Sequence, residues 1–245
     1  MSNTYIPERA MFIFAHPDDI EFSVAGTAAK WAKHGCENTY VVITDGNVGS
    51  HDPEMTRDQL GQIRRQEQAA AAKVAGAVNC IFLGYDDGSL EPSLALRKQL
   101  VKLIRQHRPN AVVCGDPNMY FRGERLNHPD HRAAARAVLD AVFPACEMRL
   151  LYPEFEAEGI QPHKVNFVFI TTDQELNHFV DISESIDTKL KALYEHRSQL
   201  GDVDYSDRLR ERAANVGKQV GLAYAEAFRR FTITPVPIPQ EEVIQ

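Results

Sequence analysis

Short apolar runs alternate with stretches of helical spacing from residue 10 to about residue 143. The runs at residues 10–15, 39–44, 78–83 and 111–115 have the length and the β-branched and aromatic content of buried strands. Between them, residues 21–34, 57–75 and 92–107 repeat apolar side chains at three- and four-residue intervals, as do Ala134, Ala137, Val138, Ala141 and Val142 after the fourth run. Gly35 stands where the first helix should end. Strand alternating with helix predicts an α/β fold: a mostly parallel, doubly wound, Rossmann-like sheet of order 3-2-1-4-5 with right-handed crossovers and helices on both faces. Residues 164–171 read as the fifth strand and 178–182 as a short sixth. Helices over 183–199 and 206–230 close the fold, and 235–245 form an extended tail. No Gly/Ser- or Pro-rich linker and no internal repeat divides the chain, so residues 1–245 read as one domain.

Two strand-to-helix turns break the apolar pattern with residue types that a turn alone does not require. The first run ends in His16-Pro17-Asp18-Asp19, and the fourth leads through a loop to Asn127-His128-Pro129-Asp130-His131. Carboxylates and proline at a helix start are ordinary capping chemistry. Capping accounts for the carboxylates but has no use for His16, His128 and His131. Imidazole nitrogen and carboxylate oxygen together suit zinc, and a catalytic site needs only three such ligands so that water can take the fourth position. In the expected strand order the carboxyl ends of strands one and four flank the crevice where ligands bind, which brings the two turns together.

Composition narrows the partners. The chain is 44% hydrophobic and 25% charged, enough for a sizeable core, and its net charge of −7 argues against nucleic acid or an anionic membrane surface. A small molecule is the expected partner. The start lacks a basic, apolar leader and no segment is long and apolar enough to span a bilayer, so the expected location is the cytoplasm. Cys36, Cys80, Cys114 and Cys146 are widely spaced and read as reduced thiols. There is neither a Gly-x-Gly-x-x-Gly after the first strand nor a Walker motif. The polar loop 45–56 is long enough to suggest a rim or lid over the site, and 116–127 is another long loop. His34, His107, His163 and His178 read as surface or capping residues, and His51 lies in a polar loop without a fixed role.

The paired motifs resemble those of the PIG-L/LmbE superfamily of metal-dependent N-deacetylases. Besides Ala15-His16-Pro17-Asp18-Asp19 and His128-Pro129-Asp130-His131, the resemblance covers Arg64-x-x-Glu67-x-x-x-Ala71-Ala72, Tyr85-Asp86-Asp87-Gly88 and Leu193-Tyr-Glu-His196-Arg-Ser198-Gln199. It implies that His16, Asp19 and His131 hold Zn2+, or Fe2+, that Asp18 is the general base, that His128 steadies the oxyanion, and that Asp130 orients a neighbouring imidazole. Arg64 and Asp87 match positions that hold the sugar. Some members carry a tyrosine two residues before the first downstream histidine; this chain has Leu126 there, so that oxyanion donor is either missing or supplied from elsewhere, Tyr120 being one candidate. His196 belongs to a shared stretch and is either structural or completes a neighbouring site in an oligomer. The implied activity is zinc-dependent removal of an N-acetyl group from an amino sugar or GlcNAc-containing conjugate. The alternatives are a metal-dependent amidase of a larger sugar-amide conjugate and a non-catalytic metal- or sugar-binding protein. By the same resemblance the chain assembles as a trimer or hexamer.

Overall fold

The computed structural model describes residues 5–235; of the expected tail, 236–245 lie outside the described residues. The four leading runs are strands β1 (Arg9–Phe14), β2 (Glu37–Thr44), β3 (Asn79–Tyr85) and β4 (Ala111–Cys114). After them come the two-residue strands β5 (Phe121–Arg122) and β6 (Arg125–Leu126), then β7 (Phe167–Ile170), β8 (His178–Asp181) and β9 (Ala225–Thr232). The main sheet has the order β3-β2-β1-β4-β7-β9-β8. From β3 to β7 every pairing is parallel, with Ile13 beside Val41 and Met11 beside Val112, while β9 runs antiparallel to both of its neighbours. The domain is thus a mixed, mostly parallel seven-stranded α/β sheet among the described residues.

The helices are α1 (Asp19–Ser23), α2 (Ala25–Lys33), α3 (Arg57–Val74), α4 (Leu94–His107), α5 (Pro129–Asp140), α6 (Glu154–Ala157), α7 (Ile186–Leu193), α8 (Arg197–Leu200) and α9 (Ser206–Lys218), with a π-helical turn at Ala141–Ala145. Successive side chains of a strand point to opposite faces, and β1 accordingly feeds two cores. Met11 and Ile13 pack with Leu96, Leu100 and Val138 on one side. Phe12 and Phe14 pack with Ile20, Trp31 and Ala72 on the other. Burying β1 on both sides leaves only its carboxyl end free for chemistry.

Three departures from the expected elements have physical causes. The helix expected over 21–34 is broken at Val24 (φ −136°, ψ 8°), because the amides of Gly26 and Thr27 are capped by the Glu226 carboxylate at 3.1 and 2.7 Å. That cap comes from a strand two hundred residues away and leaves no local trace. The helix expected over 206–230 stops at Lys218; the chain then turns through Gly221 at φ +75° and returns as β9, inserted between β7 and β8. The helix expected over 183–199 divides into α7 and α8 around His196.

His163 and His178, expected at the surface or as caps, are buried. His163 bonds the Pro109 carbonyl at 2.8 Å. The His178 ring stands edge-on to Phe169 with centroids 5.2 Å apart, and burial, helped by the charge of Arg230, pushes its pKa down from 6.5 to about 4. Below pH 6.5 the unfolded chain therefore takes up a proton that the folded chain refuses. The stability tied to this ring is whole above pH 6.5 and is lost as the pH falls toward 4. Between pH 7 and 4.5 the loss is about 2 kcal/mol. Urea melts at the two pH values should show a pH penalty smaller by that amount in His178→Gln; equal penalties in parent and variant would exclude this origin.

Candidate metal and active site

β1 ends at Phe14 and the chain turns through residues 15–18 before α1 starts. Asp18 adopts a left-handed backbone, φ 95° and ψ −21°, a conformation that short polar side chains tolerate better than others. At the neighbouring strand end, His128 is the N-cap of α5 and Pro129 its first residue. Since β1 and β4 lie side by side, the two turns converge above their carboxyl ends.

His16, Asp19 and His131 offer donor atoms that all lie within 4.8 Å of one another. His131 Nε2 is 3.1 Å from His16 Nδ1 and 3.0 Å from an Asp19 oxygen. The outer nitrogen of each ring is already engaged. His16 Nε2 lies 3.0 Å from Asp87 Oδ1 and 3.3 Å from Asp130 Oδ2, and His131 Nδ1 lies 2.8 Å from Asn127 Oδ1. Each oxygen calls for an N–H on the nitrogen it faces. The two inner nitrogens are then left as bare lone pairs pointing at each other, beside a carboxylate. Such an arrangement requires a cation, and oxygen partners on the outer nitrogens are characteristic of metal-ligating histidines. The donor set therefore fits a divalent metal.

The electrostatics agree. Burial disfavours the charged form of His16, but Asp130, Asp19 and Asp87 outweigh it and lift its pKa to about 12. Burial likewise works against charge on His131, and Asp19 reverses it. Asp19, despite burial, is held well below the usual carboxylate range, chiefly by His131. Asp18 behaves oppositely from one residue away. Burial lifts its carboxyl, Arg64 pulls it back and Asp19 raises it again, leaving it at about 7.

The remaining predicted residues surround this centre. Asp130 orients the ring of His16 rather than of the histidines next to it in sequence, and it also accepts the amide N–H of Gly88 at 2.7 Å and of Leu90 at 3.2 Å. Those two bonds set the turn that carries Asp87. His128 Nδ1 accepts the Asp130 amide at 3.2 Å, which leaves its proton on Nε2; burial and then the neighbouring His16 charge keep its pKa below the ordinary histidine value. Arg64 and Asp87, matched by resemblance to sugar-holding positions, sit behind the histidine and the base. Arg64 is 4% exposed. It donates to the carbonyls of Gly46 and Pro17, at 2.8 and 2.6 Å, and to Asp18 Oδ2 at 3.0 Å. Gly46, at φ +60°, has no room for a side chain, since a Cβ would lie 2.2 Å from the guanidinium. The Tyr120 ring lies under the Arg132 guanidinium, 4.4 Å away, and Leu126 points to solvent.

Sequence reasoning missed Asn127 as an orienter of His131 and Gln68 as a partner of Asp18; Asn127 was visible as a polar residue directly before the histidine cluster, whereas Gln68 gives no local signal. A cavity of about 230 Å³ opens beside Asp19, Asn127 and His131. It shares Phe22, Ser23 and Thr171 with a second cavity of about 320 Å³ that reaches α9 and the start of β9. The second lies in the ~300–1,000 Å³ range of small-molecule sites and the first just below it.

Residues 11–142 match the family described as PIG-L: GlcNAc-PI de-N-acetylase. The chain is 32% identical over 225 residues to the diacetylchitobiose deacetylase of Thermococcus kodakarensis, covering 91% of this chain and 82% of that protein. It is 29% identical over 201 residues to a protein of Bacillus anthracis named probable N-acetyl-alpha-D-glucosaminyl L-malate deacetylase 2, covering 77% and 80%. Among solved structures, the N,N'-diacetylchitobiose deacetylase from Pyrococcus horikoshii, complexed with its inhibitor MPG, superposes with a TM-score of 0.85 at 30% identity, over 94% of this chain and 88% of that one.

Proposed function

The chain belongs to the PIG-L family and is an amide hydrolase, an N-deacetylase of GlcNAc-containing sugars or conjugates; we propose that it does this work with zinc held by His16, Asp19 and His131. The observation that carries this reading is the pair of ring nitrogens, His16 Nδ1 and His131 Nε2, facing each other at 3.1 Å beside the Asp19 carboxylate, with a second carboxylate, Asp18, one residue away. Two imidazoles and a carboxylate suit zinc and also ferrous iron, and metal analysis of the purified protein distinguishes them.

A divalent ion bound there supplies Lewis acidity and makes water more acidic. Asp18 accepts the proton of the attacking water and returns it to the departing amine. His128, with its proton on Nε2, donates to the oxyanion that develops on the amide carbonyl, a contact of the kind worth ~3–4 kcal/mol. Asp130 and Asp87 fix the tautomer of His16, and Asn127 that of His131. Arg64 aims the Asp18 carboxylate. In this reading Arg64 and Asp87 are positioning residues, as their burial supports.

The two neighbouring cavities, with Phe22, Ser23 and Thr171 in the walls of both, support a disaccharide or conjugate over free GlcNAc. Among the described residues no helix is long and apolar enough to cross a membrane. The four free cysteines, with thiols pushed up to about 12 chiefly by burial, are consistent with a reducing compartment, and we place the enzyme in the cytoplasm.

The test is free-amine release from GlcNAc, diacetylchitobiose and GlcNAc conjugates by protein carrying one zinc per chain. Release from the disaccharide or a conjugate in preference to GlcNAc is expected. No release from any of them, with the metal in place, would point to an amidase of larger acyl groups.

A further inference from the structure

We propose that Glu21, Gln68 and His196 form a relay of positioning residues that holds the general base, Asp18, in its left-handed turn. The inference rests on Asp18 being that base.

The relay begins at the backbone. The Asp18 N–H donates to Gln68 Oε1 at 3.0 Å. Gln68 Nε2 donates to Glu21 Oε1 at 3.0 Å, and Glu21 Oε2 lies 3.1 Å from His196 Nε2. Glu21, Gln68 and His196 are all fully buried. Glu21 stands within α1, the helix that Asp18 caps, so the bonds close a ring from the base through α3 and back to the helix that follows it. A positive φ at a non-glycine residue persists only where its surroundings over-determine it. Two grips do so here, both from α3 and one helical turn apart: Arg64 on the carboxylate and Gln68 on the amide.

Each member of the relay requires the next. Without Glu21 the buried Nε2 of Gln68 has no acceptor, and the amide is free to rotate away from Asp18. Without His196 the Glu21 carboxylate is buried beside an amide alone. His196 is itself fixed, since the adjoining α8 is tied to α3 where Ser198 donates to the Glu67 carboxylate through its N–H and hydroxyl at 2.7 and 2.6 Å. The Arg64-x-x-Glu67 and His196-x-Ser198 stretches thereby become two halves of one clamp on the His-Pro-Asp-Asp turn. This assigns His196 to its own chain's site: it is wholly enclosed, and its Nε2 is engaged by Glu21.

A carboxylate misplaced by about 1 Å costs on the order of 10²-fold in rate, whereas a purely structural network would change folding and leave the chemistry of folded molecules alone. The experiment is a double-mutant cycle of Gln68→Met, which conserves volume and removes both polar contacts, with Asp18→Asn. It is read as kcat, KM and bound zinc on the full chain. Expected are a kcat lower by ~10- to 100-fold in Gln68→Met with KM and zinc content unchanged, and no further fall when the substitution is added to Asp18→Asn. Glu21→Gln, which keeps an acceptor for Gln68, should restore most of the activity that Glu21→Ala loses. The relay is overturned if Gln68→Met keeps the parental kcat, or if it lowers kcat equally with and without the Asp18 carboxylate. If Gln68→Met does not fold, Gln68→Leu, which likewise removes both polar contacts, replaces it in the same cycle. Parental activity in Asp18→Asn overturns the relay together with the role of Asp18; an inactive Asp18→Asn beside a fully active Gln68→Met overturns the relay alone.

Discussion

Replacing Asp18 by Asn is expected to lower kcat by ~10²–10⁴-fold, the range a positioned proton acceptor contributes, while zinc stays bound at one ion per chain. The two adjacent carboxylates divide the work by where they point. Asp19 is bonded to the His16 amide at 2.8 Å and faces the two histidine rings, so it is placed to hold the proposed metal. Asp18 has one oxygen on Arg64 and is lifted by burial, the state a group needs if it is to take and return a proton near neutrality. Asparagine reproduces the shape and can still accept from Arg64, but it cannot carry the proton. Little stability should be lost, because Asn still accepts from Arg64 and burial already disfavours the Asp18 charge more than Arg64 favours it, so the fall in rate should come without unfolding. Bound zinc and a cooperative unfolding transition must therefore be measured beside the rate. A folded, zinc-loaded Asp18→Asn protein that retained more than about a tenth of kcat would exclude Asp18 as the base, since even a weak acid–base contribution exceeds that.

The centre of this domain was legible in the sequence because its strands are buried on both faces. β1, β2 and β4 carry apolar side chains to both cores, so they stand out as runs without any need for tertiary information. The two histidine turns were legible for the opposite reason: His16, His128 and His131 interrupt apolar segments with side chains that capping does not require. What the sequence concealed depends on distant partners. β9 carries adjacent Arg229 and Arg230 in mid-strand, and Arg230 is accommodated by lying over the Phe167 ring, 5.3 Å away; read locally, such charges continue the α9 pattern. The break at Val24 is set by Glu226. Arg64 shows helical spacing with Glu67 and invites a surface ion pair, yet the first is buried against the active turn and the second holds α8. His178 acquires its low pKa from burial and then from the charge of Arg230 on β9, neither of which is visible near it in the sequence.

Removing the metal is expected to abolish amine release and to lower the thermal midpoint, both reversed by added zinc. The reason lies in the ring nitrogens. Asp87 and Asp130 hold the proton of His16 on Nε2, and Asn127 holds that of His131 on Nδ1. The inner nitrogens, 3.1 Å apart, must then share a cation or repel each other. A proton can fill that place, as the upward shift of His16 to about 12 indicates, but only by placing charged imidazole where the reaction needs a Lewis acid. Zinc at a hundredfold excess over its dissociation constant adds about 2.7 kcal/mol to the folded state. For a domain of this size that corresponds to roughly 5–10 °C in the midpoint. His131→Ala removes one of the three proposed ligands, so its midpoint should respond little to zinc or chelator even though its fold is intact, whereas Leu126→Ala, at an exposed position outside that set, should respond as the parent does. An unchanged midpoint and unchanged amine release in protein stripped of metal would mean that the cation between His16 and His131 is a proton in the working enzyme, and that Asp18 and His128 act without a Lewis acid.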